Sequence, residues 1–280
     1  MNRRTALFSA LASLGALGLS LAGAPALAKD PKEIVIGTSA GPYADQIKLG
    51  IKPILEKQGY KVKLIEFNDY IQPNFALAEG SLDANVFQHI VYLNKFSAEH
   101  KLALTELVKV PTAPIAIYSK KHKALTAVQE GSTVALPNDP TNQARALVLL
   151  DQLGWIKLRA GYDPVRASEK DVAANLRKIK LLPLEAAQLP RSLQDADFAF
   201  VNGNFALASG LKLKDALLTE KISANYVNLV AVRSADKNKQ FARDLDAAYR
   251  SQAFLDVTNR HFADYSKTDY QLALQAGAAK

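Results

Sequence analysis

From residue 32 onward the chain alternates short β-branched runs with amphipathic stretches of helical period. Residues 32–37 (KEIVIG) read as a buried strand. A Thr-Ser-Ala-Gly-Pro loop then leads into a helix over about 43–58, closed by Gly59 and Tyr60, and residues 61–67 alternate as a second strand. A short helix over 73–79, opened by Pro73 and stopped by Gly80, precedes a strand over 83–88 and a further helix near His89. Strand following helix in this way predicts an α/β fold, a largely parallel sheet with helices on both faces.

The pattern breaks at 108–119 (VKVPTAPIAIYS), where two prolines lead into an extended run followed by basic Lys120, Lys121, His122 and Lys123. Alternation then restarts: a strand over 133–136, the loop PNDPTN, and a helix over about 142–153. Residues 192–200 (SLQDADFAF) echo 80–87 (GSLDANVF), each a helix end, an acidic turn and a strand. Residues 226–233 (YVNLVAVR) predict a strand beside PIAIYS, the second of two crossings, and the helical tail from about Asn238 packs back on the first half. No Gly/Ser linker intervenes, so the expectation is two lobes joined by two crossover strands: 29–112 with 229–280, and 113–228.

The stretch 67–93 (FNDYIQPNFALAEGSLDANVFQHIVYL) gathers Phe67, Tyr70, Phe87, His89 and Tyr92 in a chain only 8% aromatic. Rings at the ends of adjacent strands converge on the sheet edge where open α/β folds bind ligands. Any one ring taken alone is more readily core than site, but Asn85, Gln88, His89 and two tyrosine hydroxyls share the segment, and a dry core has to satisfy them all. PNDPTNQAR (137–145) joins a strand to a helix whose first-turn amides would attract an anion, with Arg145 one turn in as a bidentate grip for a carboxylate. Capping by Asp139, Thr141 and Asn142, with Arg145 on the surface, fits the same residues equally well. Asn202 and Asn204 flank Gly203 at a strand-to-helix turn, where turn chemistry alone would put them. Asn228 is harder to dismiss inside an otherwise apolar strand. Together the rings, the arginine and the amides describe a site for a zwitterionic amino acid with an apolar side chain.

Composition narrows the classes further. Arg3 and Arg4, an Ala/Leu-rich stretch over about 6–22 and Ala26-Leu27-Ala28 have the form of an export signal cleaved after Ala28; the paired arginines make twin-arginine export a minor alternative. After residue 28 no apolar run reaches the roughly 20 residues that span a bilayer. The formal charge of +8 falls to +6 without Arg3 and Arg4, and the remaining basic residues are interspersed with acidic ones, so no nucleic-acid partner is expected. The chain has no cysteine, which excludes disulfides, thiolate metal sites and cysteine nucleophiles. It has no G-x-S-x-G, no H-x-H or H-E-x-x-H, no P-loop and no dinucleotide fingerprint, so no catalytic residue, metal or cofactor is expected.

Four blocks, FNDYIQPNFALAEGSLDANVFQHIVYL, ALPNDPTNQARALVLL, EAAQLPRSL with DADFAFVNGNFA, and NYVNLVAVR, resemble the NlpA lipoprotein family, methionine-binding proteins that feed ABC importers. The resemblance spans nearly the whole chain after residue 28. It implies a two-lobed, type II-like periplasmic substrate-binding fold that closes on methionine or a close analogue and delivers it to an ABC permease in the inner membrane. The family's side-chain slot falls on Phe67, Tyr70, Phe87, His89 and Tyr92, whose rings suit a polarizable thioether. Its carboxylate anchor falls on Arg145 with Asn142 beside it, and the ligand's polar end on Asn202 and Asn228 with Tyr226 nearby. One departure stands out: Ala28-Lys29 occupies the place of the family's lipidated cysteine, so an unlipidated periplasmic protein is expected, free or held by an uncleaved signal.

The resulting expectation is a monomeric, non-enzymatic receptor for L- or D-methionine, in which Arg145→Ala or Asn228→Ala abolishes binding and leaves the fold intact. The same fold serving another small amino acid or a short peptide is the nearest alternative. An exported surface or chaperone-like protein without a physiological small ligand is an alternative of another class.

Overall fold

The computed structural model describes residues 32–278; the export signal read over 1–28 lies outside them. Strand β1 (Glu33–Ser39) buries Ile34 and Ile36 and opens the first sheet. The helix after it runs in three consecutive parts, α1 (Pro42–Gln46), a π-helical turn (Ile47–Ile51) and α2 (Lys52–Lys57). Pro53 accounts for the middle part: it has no N–H for the carbonyl four residues back, and a wider turn ahead of it accommodates its ring. Ile47, Ile51 and Leu55, spaced by four, form the buried stripe of this helix.

The first sheet continues with β2 (Lys61–Phe67), α3 (Gln72–Ala78), β3 (Ala84–His89), α4 (Ile90–His100) and β4 (Leu104–Lys109). The chain then crosses over 110–115 to a second sheet. That sheet and its surroundings comprise β5 (Ala116–Tyr118), β6 (Thr133–Pro137), α5 (Pro140–Gln152), a small ribbon of β7 (Lys157–Leu158) and β8 (Val172–Ala174), β9 (Lys180–Leu184), α6 (Leu189–Ser192), β10 (Phe198–Val201), α7 (Gly203–Ala208) and β11 (Leu218–Thr219). The chain returns over 220–227 to β12 (Asn228–Arg233) and ends in α8 (Gln240–Tyr249), α9 (Gln252–His261) and α10 (Asp269–Ala278).

The first sheet has the order β2-β1-β3-β12-β4 and the second β11-β5-β10-β6-β9, giving a two-lobed α/β fold. Each sheet has its own core. Ile34, Ile36, Tyr43 and Val230 meet Leu245, Tyr249 and Phe254 of the tail in the first; Ile117, Val134, Leu147, Trp155, Phe198 and Phe200 form the second. Two expectations need correcting. Neither sheet is largely parallel: each has two parallel and two antiparallel pairings, because the strands next to a crossing (β12, β5) run against the rest. Nor does YVNLVAVR pair with PIAIYS. Strand β12 inserts between β3 and β4, while β5 pairs with β10 and β11; the two crossings meet where Val110 N–H donates to Asn228 C=O and Asn228 N–H to Thr112 Oγ1.

This topology positions the site. The carboxyl ends of β1, β3, β6 and β10 lead into Tyr43, His89, Asn142 and Asn202, which line one cavity, and antiparallel β12 brings Asn228 to the same place at its start. Gly203 is required there: a Cβ would lie 2.6 Å from both Ala113 Cβ and the Pro114 carbonyl oxygen of the first crossing. Among the described residues no helix is long and apolar enough to cross a membrane.

Candidate functional site

The cavity is lined by residues of both lobes, with about 350 Å³ of empty space counted together with the solvent at its mouth. Its apolar end is a cluster of rings. Tyr70 stacks on Phe87 with centroids 5.7 Å apart, Tyr92 meets both edge-on at 6.1 and 6.0 Å, and Phe205 of the other lobe lies 5.1 Å from Tyr70. The hydroxyls are drawn away from the ring faces: Tyr70 donates to Asn204 Oδ1 at 2.6 Å and Tyr92 to the Tyr70 carbonyl at 2.9 Å. Burial holds both phenols well above their ordinary pKa, so they stay protonated donors.

His89 ends β3 and caps α4. Its Nδ1 accepts from Tyr92 N–H at 3.2 Å, which puts the ring proton on Nε2 and makes that atom the donor to Asn142 Oδ1 at 3.4 Å. Burial, with the Arg145 charge adding to it, lowers the His89 pKa to about 3. An unfolded His89 takes up a proton below about pH 6.5 and the folded one does not until about pH 3, so this residue's contribution to stability falls as pH drops between those values. Parent protein is therefore expected to lose more stability than His89→Gln between pH 6.5 and 4 in urea titrations; parallel curves would contradict a buried neutral imidazole.

The polar end is built on α5. Asp139 caps the helix, accepting from Asn142 N–H at 2.9 Å, from the Thr141 hydroxyl at 2.9 Å and from Asn142 Nδ2 at 2.9 Å. The helix N-terminus is thus occupied by the chain's own carboxylate, and the free-amide anion site read from PNDPTN is closed by its cap. Asn142 Oδ1 is a hub, accepting from His89, from Asn202 Nδ2 at 3.1 Å and from Arg145 Nη1 at 3.4 Å. Arg145 is no surface charge: its side chain is 6% exposed. Its Nε donates to Glu220 Oε2 at 2.6 Å and its Nη2 to Glu220 Oε1, while its Cζ lies over the Tyr226 ring, 4.8 Å from the centroid, and Tyr226 meets His89 edge-on at 4.9 Å. Asn228 Nδ2 donates to the Phe87 carbonyl at 3.0 Å. Asn202 Oδ1 is buried and has no hydrogen-bond partner in the protein, an acceptor open to a ligand donor.

Of the ten candidate residues, Tyr70, Phe87, His89, Tyr92, Asn142, Arg145, Asn202 and Asn228 line this cavity. Tyr226 stands behind Arg145, supporting it. Phe67 points elsewhere: it packs with Leu77 and Leu82, and its Cε2 lies 3.1 Å from where a Cβ on Gly37 would be, because alternate residues of β2 face opposite sides of the sheet. Asn85 is satisfied inside its own lobe by Asn74, Gln88 and the Pro73 carbonyl, so its polarity does not mark a ligand. Sequence reasoning missed Tyr43, Thr112 and Glu220, and it put Asn204, which bridges Tyr70 to Ser39 of the opposite lobe, down to turn chemistry.

A family model described as NlpA lipoprotein matches residues 34–272. The D-methionine-binding lipoprotein MetQ of Salmonella typhi is 39% identical over 260 residues, covering 91% of this chain and 96% of that protein. The solved structure of a nutrient binding protein from Burkholderia cenocepacia bound to methionine superposes with a TM-score of 0.78 at 42% identity, covering 82% of this chain and 97% of the other. The crystal structure of the methionine binding protein MetQ gives a TM-score of 0.80 at 38% identity, covering 85% and 99%. These findings overturn one expectation. The family and the relative are named lipoproteins, against a protein cleaved after Ala28 and free of lipid in the periplasm. That expectation rested on the absence of cysteine from the sequence.

Proposed function

This chain belongs to the NlpA lipoprotein family, and we propose that it is a methionine receptor that delivers its ligand to an ABC importer. The observation that carries the reading is the polarity of one cavity lined by both lobes. Stacked rings at one end suit a thioether, and an unpartnered amide oxygen beside an arginine at the other suits an ammonium and a carboxylate on the same carbon.

Methionine lies with its sulfur among Tyr70, Phe87 and Tyr92. Its ammonium donates to Asn202 Oδ1, and its carboxylate accepts a hydrogen bond from Arg145 Nη1, with Asn228 and Asn142 completing the polar wall. The protein acts as a monomer and performs no chemistry on the ligand. The described residues of 29–112 with 229–280 move as one lobe and those of 113–228 as the other, hinged about the crossings at 110–115 and 220–227. Tyr70–Asn204, Asn204–Ser39 and His89–Asn142 are then contacts of the closed form, broken on opening.

Calorimetry and thermal unfolding with amino acids test this. Methionine at a thousandfold excess over its Kd adds about 4 kcal/mol to stability, a rise in Tm of roughly 10 °C for a chain of this size. Leucine, alanine or glutamate giving an equal or larger rise, with methionine giving none, would assign the fold to another ligand.

A further inference from the structure

Arg145 is held in a way that a simple carboxylate clamp is not. Two of its three guanidinium nitrogens are spent on Glu220, whose side chain is 5% exposed, and Nη1 remains, directed at Asn142 in the cavity wall. Glu220 is not a mobile surface group that happened to swing in. Its backbone N–H donates to the Ile115 carbonyl of the first crossing, it opens the return passage at 220–227, and Tyr226 of the same passage covers the guanidinium. Two titratable groups stand beside Asn142 on the cavity side of this pairing. His89 is a neutral donor, and the Asp139 carboxylate faces the N-terminus of α5.

We propose that Glu220 sets the charge selectivity of the binding site: by neutralising Arg145 it makes the cavity select a net-neutral zwitterion over an anion of the same shape. This rests on the methionine reading and deepens it. An unpaired buried arginine would draw any apolar monocarboxylate through its whole fork and gain nothing from a ligand ammonium. With the fork filled, the carboxylate has one guanidinium nitrogen to bind. The Glu220 charge then sits behind the arginine, where it favours a positive group on the ligand's α-carbon, next to the open Asn202 acceptor.

Three ligands of one shape read this out by calorimetry: methionine (zwitterion), 4-(methylthio)butanoate (anion) and methioninamide (cation). In the parent protein methionine binds far more tightly than either analogue, and the two analogues bind within about tenfold of each other. In Glu220→Gln the ratio of anion to cation affinity rises by at least about tenfold, from the loss of one negative charge at short range. A parent protein that already prefers the anion over the cation by more than a hundredfold overturns the proposal without any variant. A Glu220→Gln protein that weakens all three ligands by the same factor overturns it too, reducing Glu220 to a structural prop. If the parent binds no methionine at all, the receptor reading fails first.

Discussion

Arg145→Ala is expected to weaken methionine binding by about a thousandfold or more and to lower the stability of the unliganded protein by about 3–5 kcal/mol. The first effect follows from the cavity: Nη1 is the cationic donor in its wall, and its loss leaves the ligand carboxylate desolvated against Asn142 and Asn228. The second follows from what stands behind the cavity. Removing the guanidinium strands Glu220 as an unpaired carboxylate whose side chain is 5% exposed, and uncovers the face of Tyr226. The sequence-based expectation that this variant would keep its fold intact therefore needs amending. Arg145→Met with Glu220→Gln separates the two effects: apolar and neutral groups of similar volume should restore most of the lost stability and none of the affinity. Urea titration gives the first quantity and calorimetry the second. Arg145→Ala binding methionine as the parent does would show the polar end to be misplaced.

Asn202→Ala should do the opposite, a large loss of binding with little cost to the fold. Its Oδ1 has no partner in the protein, so nothing in the unliganded molecule depends on it; its Nδ2 makes a single bond of 3.1 Å to Asn142 Oδ1, which keeps two other donors. Although Asn202 stands at the N-cap of α7, its side chain makes no capping hydrogen bond. A hydrogen bond to a charged ligand group contributes about 1.5–3 kcal/mol, so affinity should fall by roughly 10- to 150-fold, with stability changed by less than about 1 kcal/mol. A destabilised Asn202→Ala with unchanged affinity would mean that the amide serves the fold and not a ligand.

The alternation of β-branched and helical runs was enough to expect an α/β molecule of two sheets with the tail packed on the first, because strand and helix periods are local properties of the chain. Strand direction was not legible in the same way. Whether β12 pairs with β4 or β5 depends on where the chain turns at 110–115, and either choice satisfies the apolar run VNLVAV. The site divides along the same line. Tyr70, Phe87, His89 and Tyr92 sit within one short stretch, so their convergence needs one strand and its flanking turns. Glu220 and Thr112 reach the cavity through contacts 75 and 116 residues apart in sequence, and nothing near them in the chain marks them; Asn204 meets Tyr70 across 134 residues, from a turn whose local chemistry already explained it. Phe67 was misread for a local reason: composition does not say whether an aromatic at a strand end faces the helix layer or the cleft, and pleating puts it toward Leu77 and Leu82. The loop PNDPTN failed as an anion site because its own aspartate fills the helix end, an outcome the same residues had allowed from the start.

The most direct measurement uses selenomethionine as the ligand. The chain's only methionine is Met1, so anomalous scattering from a crystal of the protein soaked with the free amino acid locates the bound selenium without interference. The account predicts one strong selenium peak between the rings of Tyr70, Phe87 and Tyr92, with the α-carbon density directed at Asn202 and Arg145. A peak outside the cavity, or an empty cavity at saturating ligand, would contradict it.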